Sequence, residues 1–343
     1  MIEFKTGNLL QADVEALVNT VNTVGVMGKG IALQFKQAYP ENFSAYQKAA
    51  QRGEITPGKM FVYEIGHLTR PRYIINFPTK RHWREKSRLE DITAGLQDLV
   101  NVIRQKGICS IAIPPLGCGL GGLNWAEVRP LILAAMEGVP QVQAWVYEPA
   151  GAPMAEQMQV STNRPRLTVG RAALIKLINQ YALPGYRLTQ LEIQKLAYFL
   201  QSAGEPLRLN YVRHQYGPYA ENLHFVLQHL EGHYLRGYGD RSGRSDLRLL
   251  PGAIEEAEAF LADQPATQAH LERVNHLIQG FETPYGVELL ATLLWLAQED
   301  PQVRHEVQAA VRGFANWNQR KRERFRPEHI QVAWEHLQQQ GWL

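Results

Sequence analysis

The sequence predicts an α/β sandwich of three layers, with a mixed sheet, followed by a mainly α-helical domain. Three observations predict it. Between Val18 and Gly30 an apolar strand runs into Asn22-Thr23-Val24-Gly25-Val26-Met27-Gly28-Lys29-Gly30, and from Ile111 to Leu123 a second runs into Pro115-Leu116-Gly117-Cys118-Gly119-Leu120-Gly121. Strand-like and helix-like segments alternate up to Tyr147. Beyond Arg166 the apolar residues recur at three and four, the spacing of one helix face.

The strands are short apolar runs bounded by turn residues. Ala16–Val21, Tyr73–Phe77, Ser110–Ile113 and Val142–Tyr147 read as buried strands, and Met60–Ile65 as a further one. Between them Ile31–Ala38, Glu41–Arg52, Leu89–Lys106 and Ala126–Met136 carry helical spacing. Such alternation places ligand loops at the carboxyl ends of strands. Pro149-Ala150-Gly151-Ala152-Pro153 ends the last strand, which divides the chain into a first domain at 1–150, a polar linker at 151–166 and a helical domain at 167–343. Helices are expected there at Arg171–Tyr181, Thr189–Gln201, Tyr219–Glu231, Ile254–Leu261, Ala266–Gly280, Gly286–Gln298, Pro301–Ala315 and Glu328–Gln339. Extended pieces are expected at Leu207–His214 and Asp246–Leu250.

Composition narrows the class. The 343 residues suffice for two domains, and 45% apolar content is ordinary for a globular chain. No run of eighteen apolar residues occurs and Met1-Ile2-Glu3-Phe4-Lys5 lacks a signal-peptide core, so neither a membrane span nor export is expected. Two cysteines, Cys109 and Cys118, make neither a disulfide framework nor a zinc site, and a cytoplasmic location is expected. The net charge of +3 lies in residues 1–150, with 16 Lys+Arg against 13 Asp+Glu. Within the neutral remainder, Glu255–Asp300 holds nine acids and one base, Arg273, and Arg320–Arg326 is a basic run. The acidic stretch reads either as a solvated helix face or as carboxylates presented to a basic groove on a partner.

The glycine loops point to a diphosphate. Glycine lets backbone N–H groups approach an anion closely, and a following helix adds its N-terminal dipole. Neither loop is a Gly-x-x-x-x-Gly-Lys-Ser/Thr or a dinucleotide fingerprint, so the common kinase and dehydrogenase classes are disfavoured. Lys80, which follows the Tyr73–Phe77 strand, reads from the residues alone either as a surface lysine of a basic loop or as an amine placed for chemistry. Five of the nine residues from Lys80 to Arg88 are Lys or Arg, with Trp83 among them, a mixture suited to phosphates and an unpaired base.

Gly7-Asn8-Leu9-Leu10, Asn19 to Gly30 and Pro115 to Gly121 together resemble a macrodomain, the fold that binds ADP-ribose, over Met1 to Pro149. Tyr73-Ile74-Ile75-Asn76-Phe77-Pro78-Thr79-Lys80-Arg81 is similar to the macrodomains that remove ADP-ribose through a lysine. With its helical second half the chain resembles the DNA ADP-ribosyl glycohydrolase antitoxins, which pair with a DNA ADP-ribosyltransferase toxin. Leu191 to Tyr198 and Tyr216-Gly217-Pro218-Tyr219 are similar to helical antitoxin modules.

The resemblance implies hydrolysis of the N-glycosidic bond between ADP-ribose and a base in single-stranded DNA. Thymidine is the favoured base, although guanine-directed systems exist. It also implies neutralisation of the toxin by the helical domain. Lys80 and Asn22 would be catalytic, Asn22 by holding the distal ribose. ADP-ribose, as ligand and product, would contact Asn8, Leu9, Asn19, Val26, Met27, Gly28, Lys29, Gly30, Ile31, Gly117, Cys118, Gly119, Leu120 and Gly121. Arg81, His82, Trp83 and Arg84 would meet the nucleic acid. No metal or other cofactor is implied.

Two positions depart from the pattern. Asn8 stands where many macrodomains have Asp, and Gly121 where related lysine-type hydrolases have a catalytic Asp. The alternatives are a hydrolase of protein-linked or O-acyl-ADP-ribose and a non-catalytic module that binds ADP-ribose.

Overall fold

A computed structural model describes the chain except residues 67–68, 183–185 and 244. The chain forms two compact units, Met1–Asn163 with Gly239–Gly243, and Arg164–Tyr238 with Arg244–Leu343.

The first unit runs β1 (Ile2–Lys5), β2 (Ala16–Asn22), α1 (Gly30–Ala38), α2 (Pro40–Gln51), β3 (Phe61–Glu64), β4 (Tyr73–Lys80), α3 (Leu89–Lys106), β5 (Ser110–Ile113), α4 (Trp125–Glu137) and β6 (Gln143–Tyr147). The six strands form one sheet in the order β1-β6-β5-β2-β4-β3. All neighbours are parallel except β3 and β4. The expected sheet is therefore present and is mixed, with β1 as an added edge.

Side-chain alternation builds the layers. Ala16 and Val18 of β2, Ile75 and Phe77 of β4, and Ile111 and Ile113 of β5 face one core with α3 and α4. Leu17, Ile74 and Ala112, one residue out of phase, face Phe35 and Ala38 of α1 on the other side. Because both faces are covered, the central strands read as unbroken apolar runs. Tyr46 and Ala49 of α2 close a smaller cluster over Val21 and Met27, directly below the first glycine loop.

The second unit contains α5 (Val169–Tyr181), α6 (Gln190–Ser202), β7 (Tyr211–His214), β8 (Gly217–Ala220), α7 (Leu223–Leu230), β9 (Leu235–Arg236), β10 (Arg248–Leu249), α8 (Ala253–Leu261), α9 (Pro265–Ile278), α10 (Pro284–Glu299), α11 (Val307–Trp317), α12 (Gln319–Arg324) and α13 (Pro327–Gln339). Thr189 and Glu192 cap α6 reciprocally. α10, buried along most of its length, is the core helix.

Two expectations are corrected here. Tyr219 does not start a helix but lies in β8, which pairs antiparallel with β7, and the helix begins at Leu223. Pro301–Ala315 is not continuous: a 3₁₀ turn at Pro301–Arg304 precedes α11.

The charge segments also rearrange on folding. Glu288 is 1% exposed and holds Arg320 in a two-pronged ion pair at 2.5 and 3.0 Å and Lys321 at 2.8 Å. Glu256 pairs with Arg164, Glu258 with Lys176 and Glu299 with Arg213. Among the described residues four of the nine acids between Glu255 and Asp300 thus have basic partners, two of them on α8 itself, so the stretch is not a uniformly acidic surface.

Beside Glu288 a second lysine is buried. Lys195 donates to the Pro218 carbonyl at 2.7 Å. Burial, with the nearby Lys321 charge, pushes its amine down to about 7. Burial also pushes Lys321 down to about 8, against the pull of Glu288.

Candidate active site

The site is built where β2, β4 and β5 end. A register shift between Val21 and Asn22 sets Asn22 opposite Lys80, and the Thr23 N–H donates to the Lys80 carbonyl at 3.1 Å. The bulge thus brings the two candidate catalytic side chains to adjacent backbone positions.

Asn22 organises the first loop. Its side-chain oxygen accepts from the N–H groups of Val24 and Val26 at 3.1 and 3.3 Å, and its amide nitrogen donates to the Val26 carbonyl at 2.6 Å. Tyr46 donates its hydroxyl to the Asn22 carbonyl. Asn19 is placed differently. It is fully buried below the loop, donates to Asn76 at 3.0 Å and contacts the Met27 sulfur, and Asn76 donates onward to Asn42 at 2.7 Å. Asn19 supports the loop floor, with no side-chain surface in the cleft.

Lys80 is half-buried and donates to the main-chain carbonyl of Leu120, in the second loop. Burial lowers the pKa of its amine from the ordinary value. Among the described residues no carboxylate pairs with it. Lys80 therefore bridges β4 and the second loop with an amine whose neutral form is favoured relative to water.

The two loops approach each other. The Leu120 side chain is 55% exposed, and its Cδ1 lies 3.5 Å from the point a Cβ on Gly30 would occupy. Val24 and Val26 are exposed on the opposite lip, while Met27 is buried beneath it. Lys29 is exposed at the N-cap of α1. The Gly30 N–H donates to the Asp240 carbonyl at 2.8 Å, within the same unit, so that this donor already has a partner.

In the second loop Gly117 takes φ +70°, a conformation that suits glycine. The N–H groups of Cys118, Gly122 and Leu123 turn back onto Pro115, Gly119 and Gly117. The Cys118 thiol lies against the Leu116 carbonyl, and burial pushes its pKa up to about 11, which removes it as a nucleophile at neutral pH.

Between β1 and β2, Asn8 caps a 3₁₀ turn by accepting from Leu10 N–H, and its amide donates to the Gln157 carbonyl at 3.0 Å. Leu9 is buried and Ile31 half-buried in one apolar cluster.

The basic segment leaves β4 directly after Lys80. Arg81 forks onto Asp91 in the first turn of α3, with contacts of 3.1 and 3.3 Å. Trp83 is 47% exposed, with the Arg84 guanidinium 4.5 Å from its ring centroid and His82 beside it at 5.3 Å. Trp125, by contrast, packs partly buried against the core. Sequence reasoning missed Ser87, whose N–H donates to the Gly121 carbonyl at 3.0 Å and whose side chain closes on the second loop. Only the space around two glycines reveals it. Among the described residues no group of three or more His, Cys, Asp or Glu is placed to hold a metal ion.

Comparison with known proteins agrees with this geometry. The Macro domain family matches residues 18–132. A Thermus aquaticus protein named DNA ADP-ribosyl glycohydrolase is 51% identical over 350 aligned positions, which span 100% of this chain and 94% of the relative. A Mycobacterium tuberculosis protein of the same name is 43% identical, over 97% of this chain and 98% of its own length. A Thermosipho africanus protein named a DNA ADP-ribosyl transferase–DNA ADP-ribosyl glycohydrolase fusion is 36% identical over 37% of this chain and 36% of its own. With its α/β sandwich, paired glycine loops and full-length similarity to two of these relatives, this chain belongs to the DNA ADP-ribosyl glycohydrolase family, and its first half is a macrodomain.

Proposed function

We propose that this chain removes ADP-ribose from a base in single-stranded DNA, with thymidine the favoured base, and that it serves as the antitoxin to the transferase that installs the mark. The observation that carries this reading is the placement of Lys80. Its partly desolvated amine meets the second glycine loop at the Leu120 carbonyl, from a strand position paired with Asn22 at the base of the first loop, and an exposed Trp83–Arg84 pair follows three residues later.

In this reading the loops grip the diphosphate through backbone N–H groups, and Asn22 sets the lip beside the distal ribose. The neutral Lys80 amine attacks C1″ of that ribose. A C–N bond forms to Lys80, the glycosidic bond to the base breaks, and the base leaves with the bonding pair and takes up a proton. Water then cleaves the lysine adduct and releases ADP-ribose. Trp83 offers a stacking face to a neighbouring base, and Arg84 meets phosphate. The Thermosipho relative supports coupling to a transferase, because its name joins both activities in one protein. The helical unit would bind that partner.

Mass spectrometry of an oligonucleotide carrying base-linked ADP-ribose, incubated with wild type or Lys80→Ala, tests the activity. Loss of the ADP-ribose mass with wild type alone is expected. Persistence of the modified oligonucleotide with wild type, for both thymidine- and guanine-linked substrates, would overturn the reading. Turnover of ADP-ribosylated protein in the same preparation would then identify a protein-directed hydrolase.

A further inference from the structure

Ser87 presents an unresolved problem of local chemistry. It is 6% exposed, and its hydroxyl is buried with no hydrogen-bond partner among the described residues. An unpaired buried hydroxyl opposes folding, because water would have satisfied it in the unfolded chain. The residue nevertheless lies against the loop that faces Lys80. A Cβ on Gly121 would fall 2.3 Å from the Ser87 Oγ and 2.3 Å from the Gly117 carbonyl oxygen. A Cβ on Gly117 would fall 3.1 Å from the same Oγ. Hydroxyl and carbonyl therefore flank one small space in the second loop, and neither loop glycine tolerates a side chain there.

We propose that Ser87 is a positioning residue of the second glycine loop, whose hydroxyl gains its partner when the loop closes on a bound diphosphate. The backbone already carries the connection. The Ser87 N–H holds the Gly121 carbonyl, and the preceding carbonyl, that of Leu120, accepts from Lys80. Movement of the loop onto the ligand thus shifts the acceptor of the Lys80 amine and the surroundings of the Ser87 hydroxyl together. The inference rests on the reading that this cleft takes ADP-ribose. It also gives a physical reason for the absence of an acid at residue 121, since the position is closed by Ser87 and by the loop's own backbone.

The test uses the full chain as wild type, Ser87→Ala and Ser87→Cys, with ADP-ribose titrated by calorimetry and thermal unfolding recorded without ligand. For Ser87→Ala the unliganded midpoint is expected to hold or rise, while ADP-ribose binding weakens about three- to tenfold, the effect of losing one hydrogen bond in the bound state. Ser87→Cys, a weaker donor, is expected to fall between the two. A residue that only packs would lower midpoint and affinity together, and that result, or an unchanged affinity in Ser87→Ala, overturns the proposal. ADP-ribose binding by a wild type that leaves modified DNA intact would reject the glycohydrolase reading and leave Ser87 standing. Failure of wild type to bind ADP-ribose would reject both.

Discussion

The Lys80 side chain donates to the Leu120 carbonyl, so the amine proposed for catalysis is anchored by the opposite loop rather than by a carboxylate. A carbonyl accepts from the neutral amine as well as from the ammonium. Lys80→Ala is expected to abolish turnover while ADP-ribose binding changes by less than about threefold. Lys80→Arg keeps the charge but has no accessible neutral form, so it is expected to be inactive too. Activity in Lys80→Arg would assign the residue an electrostatic role instead.

The pH profile follows from the same group. Burial lowers the amine pKa from the ordinary 10.5, so the neutral fraction at any given pH exceeds that of a free lysine. Initial rates are expected to climb with pH through neutrality and to level off near the lowered pKa. A rate that falls over that range would mean that the charged form acts.

Restoring an acid to the second loop should harm the protein. In Gly121→Asp the new Cβ meets the Gly117 carbonyl and Ser87 at 2.3 Å each, and the loop must shift. ADP-ribose affinity is expected to fall at least tenfold, as checked by calorimetry. A gain in turnover would show that the loop can accept the carboxylate.

Substitution of Trp83 tests whether nucleic-acid binding can be separated from ligand binding. Its exposed ring is pre-ordered by Arg84, and a stacked base contributes about 1–3 kcal/mol. Trp83→Ala should weaken binding of a modified oligonucleotide by that amount and leave free ADP-ribose binding unchanged. Equal losses on both would place Trp83 in the fold instead of the interface.

Glu288 is the counter-charge for a buried cationic cluster. Glu288→Ala leaves Lys321 uncompensated, and a broken buried pair costs about 3–5 kcal/mol. The same cluster sets a pH trend. Lys195 titrates near 7 in the folded protein but higher when unfolded, so between those values the unfolded chain binds more protons. Stability should therefore rise as pH increases from about 7 to 9, by at most about 1.4 kcal/mol per pH unit for one group. Denaturant midpoints at pH 7 and 9 read this out, and Lys195→Met should reduce the trend, with the part due to Lys321, pushed down to about 8, remaining.

How much was legible follows from what each residue touches. β2, β4 and β5 were readable because strands covered on both faces become unbroken apolar runs. β1 was not, since Ile2-Glu3-Phe4-Lys5 is a short edge with half-exposed residues, and its identity as a strand comes from pairing with β6 at the far end of the domain. Tyr219 and Ala220 were absorbed into a helix by their spacing, although Gly217 at φ +94° and Pro218 just before them set the hairpin.

At the site, the loops were evident from residue type and strand position, whereas Lys80 stood out from a basic loop only through the macrodomain resemblance. Asn19 and Asn22, three residues apart on β2, face opposite sides by strand alternation, but the pairing of Asn22 with Lys80 depends on a bulge at Thr79 that no local pattern announces. Ser87 gains meaning only against Gly117 and Gly121, some thirty residues away. Charge was least legible: Glu288 was counted in an acidic stretch and Lys321 in a basic run, and folding buries each against the other.

The two thiols differ in a way that favours spectroscopy. Cys118 is partly buried in the second loop with its pKa pushed up to about 11, whereas Cys109 is exposed at the start of β5, the end remote from that loop. A maleimide dye at neutral pH should therefore mark Cys109 in the unaltered protein and spare Cys118. Such a chain would carry one fluorophore at a fixed place on the macrodomain, and its response to added DNA or to a candidate partner could be followed without introducing a cysteine anywhere.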